Sequence, residues 1–190
     1  MGFWKDVTGH SGPVPARLDA LFEVPSAAVI LQTETGFTPA GTGSVCYRGA
    51  AGAAFAQAQR DIVDLLQAAP SAPEVQVSAD SFGFTWLTVA GDPGDSSGLC
   101  TDLHAVNTTL EAAGFGSGLL CTLVPFRDAG GRRLGLVYLY KQGTFYAFAP
   151  TGPQQRDNLL ELHLRDTLAQ ELPMEQDLQR WLAVWDAPGL

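Results

Sequence analysis

The stretch from Leu119 to Phe148 limits the fold of this 190-residue chain more than any other. Leu119–Phe126 and Leu134–Lys141 are apolar runs rich in β-branched and aromatic residues, and Asp128-Ala129-Gly130-Gly131 between them carries turn chemistry. Gln142-Gly143 then turns the chain into a third run, Thr144–Phe148. Strands joined by such tight turns pair antiparallel, because a parallel pair needs a crossover of about a dozen residues or more. A three-strand antiparallel meander is therefore the local prediction around which the other elements must pack.

The remaining elements follow from periodicity. Ala53–Ala69 puts Phe55, Ala58, Ile62, Leu65 and Leu66 on one helical face and is stopped by Pro70 and Pro73. Leu99–Ala113 repeats the pattern with Leu99, Leu103, Val106 and Leu110, closed by Gly114. Glu74–Ser78 and Phe82–Ala90 read as strands. Pro153–Leu172 reads as a long helix with Leu160, Leu164 and Leu168 on one stripe, followed by a short helical tail bearing Leu178, Trp181, Leu182 and Trp185. Nearer the start, Leu18, Leu21 and Phe22 suggest a helical turn or two that end before Pro25. Ala27–Thr33 and Ser44–Arg48 are then predicted to form a hairpin through the Gly/Pro-containing segment Thr35–Gly43.

The predicted order is β-β-α-β-β-α-β-β-β-α. It specifies an α+β fold: a twisted, mainly antiparallel sheet with helices mostly on one face. Residues 1–15 are expected to be an N-terminal segment and linker, and 16–190 a single α+β domain.

Charge narrows the function. The net charge is −9, which opposes binding to nucleic acid because phosphates repel an acidic surface. Residues 126–156 hold five bases (Arg127, Arg132, Arg133, Lys141 and Arg156) against one acid, Asp128, while both flanks are acidic. The N-terminus lacks an apolar run of secretory length, and no 18 consecutive residues are apolar. A cytoplasmic chain is expected, at most peripheral to the inner face of the plasma membrane. Phe3 and Trp4 could bury in an interface, but two rings give about as much as one marginal lipid anchor.

Catalytic and metal patterns are missing from the sequence. Cys46, Cys100 and Cys121 form no C-x-x-C pair and read as buried, reduced thiols. Cys100 and His104 stand four apart on a helix but supply only part of a zinc site. Asp102 and His104, two apart, do not face one another, so no cysteine–histidine–carboxylate relay can be read. Gly116-Ser117-Gly118 lacks the spacing of a nucleophile elbow, and Gly41-Thr42-Gly43-Ser44-Val45-Cys46 departs from a dinucleotide fingerprint at its end. No catalytic residue, metal or cofactor is assigned. The candidates for partner contact are Arg132, Arg133, Tyr138, Tyr140 and Lys141, where basic and aromatic residues share the meander; the opposing reading buries the rings beneath a helix.

Several stretches in order resemble one family: Met1-Gly-Phe-Trp, Thr35-Gly-Phe-Thr-Pro, Val45-Cys-Tyr-Arg, Asp80-Ser-Phe-Gly-Phe-Thr-Trp, Asp102-Leu-His-Ala-Val-Asn and Leu136-Val-Tyr-Leu-Tyr-Lys. Gly143-Thr-Phe-Tyr-Ala-Phe-Ala-Pro-Thr-Gly and Arg180-Trp-Leu-Ala-Val-Trp-Asp-Ala-Pro-Gly-Leu complete the series. Together they resemble PspAB, the PspA-associated protein of actinobacteria. The resemblance implies a companion of PspA, the coiled-coil protein of the envelope stress response, and transfers no catalytic residue. The expected function is a non-catalytic adaptor or regulator that binds a PspA-type protein. The meander followed by a helix also resembles the secretion-chaperone fold, which would suit a module that holds peptide segments of other proteins. An enzyme of an unrecognised cysteine- or metal-dependent type is the third reading.

Overall fold

The computed structural model describes residues 17–68 and 72–190. A 3-10 turn, Leu18–Glu23, runs into α1 (Val24–Thr35). The strands β1 (Thr38–Pro39) and β2 (Thr42–Arg48) lead to α2 (Ala53–Leu66). The pair β3 (Glu74–Ala79) and β4 (Phe84–Ala90) precedes α3 (Ser96–Ala112). The meander is β5 (Leu119–Arg127), β6 (Arg133–Leu139) and β7 (Thr144–Phe148). A small hairpin, β8 (Pro150–Gly152) and β9 (Gln155–Arg156), then leads to α4 (Asn158–Leu168).

The fold is α+β, built on an open, antiparallel sheet in the order β3-β4-β2-β5-β6-β7, with the short β1 also pairing β5. The predicted meander forms, with Thr122↔Tyr138 and Tyr138↔Phe145 in register. The first hairpin does not. Ala27–Thr33, predicted as a strand, lies inside α1, whose buried residues Val24, Ala27, Ala28 and Leu31 recur at helical spacing. Pro25 does not stop a helix here. It sits in the first turn of α1, where a missing N–H costs nothing. Gly36 ends the helix at φ +77, and its N–H donates to the Gln32 carbonyl at 3.1 Å. Freed of a hairpin partner, β2 becomes a central strand between β4 and β5.

Helices cover one face. Leu21, Leu31, Ile62, Leu103 and Leu110 pack on Val45, Leu87, Val89, Leu136 and Tyr138. Contact is close at Gly43, where a Cβ would stand 2.6 Å from the Leu103 side chain. The other face is covered by the C-terminal tail: Trp181, Val184, Trp185, Ala187 and Leu190 pack on Cys46, Trp86, Leu123, Val137, Tyr146 and Phe148. This tail was expected to be helical, but it contains only one 3-10 turn, Leu178–Arg180. The last helix is also shorter than the predicted Pro153–Leu172. Its true start is Asp157, whose carboxylate accepts from the Leu160 N–H at 3.0 Å, and residues 153–156 belong to the β8–β9 hairpin region.

A buried ion pair holds these parts together. Arg156 Nε donates to both Glu161 oxygens at 2.8 and 2.9 Å, and the Ala149 N–H donates to one of them at 2.8 Å. Arg156 also donates to the Trp181 carbonyl at 3.0 Å and lies 4.7 Å above the Phe148 ring. Glu161 is 1% exposed, and burial pushes its carboxyl above the usual range despite the guanidinium. The unfolded chain therefore gives up this proton first, so the group's contribution to stability falls as pH rises above about 4.5. Arg156→Ala should cost about 3–5 kcal/mol in urea unfolding at pH 7, because it strands a buried carboxylate. The deficit should shrink as pH falls toward 4.5, the ordinary value for Glu161. Arg156→Met combined with Glu161→Leu should cost much less than Arg156→Ala alone.

Candidate functional site

A groove of 630 Å³ opens on the tail-covered face. Three parts of the chain build it. The β3–β4 turn gives Asp80, Ser81 and Phe82; the meander gives Arg133 and Phe148; the tail gives Val184, Trp185, Asp186 and Leu190. The Asp80 carboxylate shapes the first wall. It accepts from the N–H groups of Phe82 and Phe84, each at 2.9 Å, and from the Trp86 indole at 3.1 Å. Slight burial pushes this carboxyl up, but these donors outweigh it and hold it below the usual range. The turn so fixed leaves Phe82 80% exposed at the groove, with Trp86 beneath. Phe148 and Trp185 meet edge to face at 4.9 Å on the opposite side. Two further lining residues, Gln154 and Asp186, hold φ of +53 and +57, a region that side-chain-bearing residues seldom occupy.

Of the predicted contact residues, Arg133 alone lines this groove. It also lines a second, shallower groove of 340 Å³ with Gly131, Pro150, Thr151 and Asp157. Among the described residues no carboxylate pairs with Arg133. Arg132 is committed elsewhere: its Nε donates to Asp128 at 2.6 Å and its guanidinium lies 5.2 Å over the Phe37 ring. That pairing holds the Asp128 carboxyl low and closes the β5–β6 turn. Lys141 is exposed at the far end of β6, roughly 20 Å away at the usual rise per strand residue. Arg132 and Arg133 thus meet only at the second groove, which both line, and Lys141 stands apart from them.

Tyr138 and Tyr140 are corrected from contact residues to core. They continue the row Leu134, Leu136 that β6 turns toward the helices, and their exposures are 0% and 8%. Tyr138 packs against Phe145 at 5.0 Å. The alternate row, Val137 and Leu139, lies under the tail, so neither face of β6 is bare. Phe3 and Trp4 lie outside the described residues.

The thiols are packed inside. Cys46 and Cys121 are cross-strand partners, and hydrogen bonding to Cys121, then burial, pushes the Cys46 thiol far up. Burial pushes Cys100 up to about 12. His104 faces outward, with Nε2 3.4 Å from Asp19 and its ring 4.7 Å from Phe22. Among the described residues, no three His, Cys, Asp or Glu side chains gather as a ligand set, and no helix is long and apolar enough to cross a membrane.

Sequence reasoning missed Phe82, Trp86, Phe148 and Trp185 as site residues, since no local pattern joins them. One signal was present: Asp80-Ser-Phe-Gly encodes a tight turn that carries a phenylalanine at its tip. The protein is thus an open-sheet α+β protein with an aromatic groove that Arg133 borders. Comparison with known families is specific. The chain belongs to the PspAB family, PspA associated protein B, whose model matches residues 1–189. No curated protein and no solved structure matches it. Asp80→Ala should release the turn and the Trp86 indole, costing on the order of 1–2 kcal/mol in urea unfolding and shifting tryptophan emission.

Proposed function

We propose that this chain is a non-catalytic adaptor that binds a PspA-type protein through the groove between the β3–β4 turn and the tail. The observation that carries the reading is the groove itself: an exposed Phe82 over the buried Trp86, with the half-buried Trp185, beside an arginine with no carboxylate partner among the described residues. Aromatic and arginine side chains around a desolvated centre are what concentrates binding energy at protein interfaces. A coiled-coil partner offers apolar side chains at helical spacing and acidic residues beside them. The apolar anchors fit the rings, and a carboxylate meets Arg133, in the manner of a helix laid into a groove. Family membership supplies the partner's class. In this reading the adaptor acts in the envelope stress response, on the cytoplasmic side of the membrane. The net charge of −9 disfavours direct adhesion to anionic lipid, so recruitment runs through the partner.

Phe82 is exposed enough to be changed without disturbing the core, which makes it the cleanest probe. Phe82→Glu and Arg133→Glu should each weaken binding to the purified PspA-type protein of the same organism by about tenfold or more in calorimetric titration. Lys141→Glu, at the other end of β6, should leave it within about twofold. Binding that survives both groove variants, or that Lys141→Glu abolishes, would place the interface elsewhere.

A further inference from the structure

The two edges of the sheet are finished differently. Along β7 the chain closes its own edge: the Phe145 N–H donates to the Pro173 carbonyl at 2.8 Å, and the Glu175 N–H donates to the Phe145 carbonyl at 2.7 Å. At the opposite edge, no described strand pairs with the outer side of β3. The usual protections are missing there as well. From Glu74 to Ala79 there is no proline, lysine or bulge, and Glu74 carries the sole charge.

Hydrogen-bond parity determines which backbone groups are free. The Asp80 N–H donates to the Phe84 carbonyl at 2.9 Å, and the ladder continues through Ser78↔Trp86, Gln76↔Thr88 and Glu74↔Ala90. Antiparallel alternation then aims the groups of Glu74, Gln76 and Ser78 at β4 and those of Val75, Val77 and Ala79 outward. Val77, opposite Leu87 and so on the helix-covered face, remains 38% exposed.

We propose that β3 pairs antiparallel with β3 of a second copy of this chain, about a two-fold axis at Gln76, joining two sheets into one. The strand complements itself in that register. Val75 then stands opposite the copy's Val77, each pair exchanging both its hydrogen bonds and covering the exposed Val77 on the helix side. Glu74 stands opposite Ser78, a hydroxyl donor. A register centred on Val77 would set Glu74 against Asp80, two carboxylates face to face, which opposes pairing. Centring further along in either direction runs the ladder into Pro73 or the Asp80 turn. A two-fold axis normal to the sheet keeps both helix layers on one side. A helical partner offers no strand to this edge, so this pairing is separate from the groove.

Sedimentation of the full chain over about 1–100 µM tests the proposal and should show a reversible monomer–dimer equilibrium. By this alternation the Val77 N–H makes no bond among the described residues, so Val77→Pro removes only the intermolecular donor. It should keep the native circular dichroism and raise the dimer dissociation constant by about tenfold or more. Val77→Lys, which keeps the backbone donor, should do the same by charge. Gln76→Cys should form a disulfide-linked dimer on mild oxidation, since Gln76 faces itself at a close, non-hydrogen-bonded position, and Ser78→Cys should not. A monomer at all concentrations overturns the proposal. So does a dimer indifferent to both Val77 variants, or cross-linking as efficient at 78 as at 76.

Discussion

The buried pair of Arg156 and Glu161 decides where the last third of the chain goes. Once the meander is complete, its second face is apolar, and α4, whose Leu164 and Leu168 join the helix-side core, leaves most of it bare. The chain must set α4 beside β7 and then return across that face as an irregular tail. Glu161 accepts from the guanidinium and from the Ala149 N–H, and Arg156 reaches on to the Trp181 carbonyl. One pair thus joins the β7 end, the small hairpin, α4 and the tail. Buried ion pairs seldom add net stability over apolar groups of the same shape. What this one supplies is geometry: the carboxylate is met by Arg156 Nε and the Ala149 N–H, and Nη1 reaches the Trp181 carbonyl in the same docking of the tail, while Nη2 stays buried without a partner among the described residues. Glu175 acts likewise further along. Burial pushes its carboxyl up, but the Asp177 N–H, the Thr144 hydroxyl and Arg180 outweigh that and hold it low. Trp181 is thereby placed, its indole donating to the Glu175 carbonyl at 3.1 Å and its ring stacked 5.9 Å from Tyr146.

The parts of the fold legible in the sequence are those where one periodicity runs long enough to exclude the other. Residues 53–66 and 96–112 show helical spacing over several turns, and the meander shows apolar runs cut by turn residues. Val29-Ile30-Leu31 is different: it is a short apolar run that suits a buried strand or a helix equally, and β-branched residues bias the reading to strand. What decided for α1 lies outside the run. Pro25 serves as a start signal, and Gly36 closes the helix thirteen residues beyond Glu23's cap position. At the other end, Pro153 looked like a first-turn proline, but Asp157 had the better capping geometry.

The site was less legible than the fold, for a physical reason. Arg133 was found because charge is scarce in this chain and shows against its flanks. Tyr138 and Tyr140 were set with it because alternation tells which residues share a face, not whether that face is covered. Covering is a tertiary fact: the helices take one row of β6 and the tail takes the other. The rings that do reach the groove come from a turn, a strand end and the tail, more than a hundred positions apart between Phe82 and Trp185. Their nearness depends on the tail crossing the sheet, and that depends on the buried pair.

This dependence gives the groove two unlike walls. The sheet wall, with Asp80, Trp86, Arg133 and Phe148, belongs to antiparallel ladders that open only with the whole domain. The tail wall, with Val184, Trp185 and Asp186, has no ladder. It holds by packing, by Tyr146 donating to the Leu182 carbonyl at 2.8 Å, and by the anchors upstream at Trp181. Segments held this way open locally at lower free energy than strands do. A ligand in the groove touches both walls, so its binding energy adds to the docking of the tail, and any change that loosens the tail weakens the ligand by the same linkage. Arg156 and Glu161, which lie behind the groove wall at Phe148, would therefore tune the affinity of any such ligand through the population of molecules whose tail is in place.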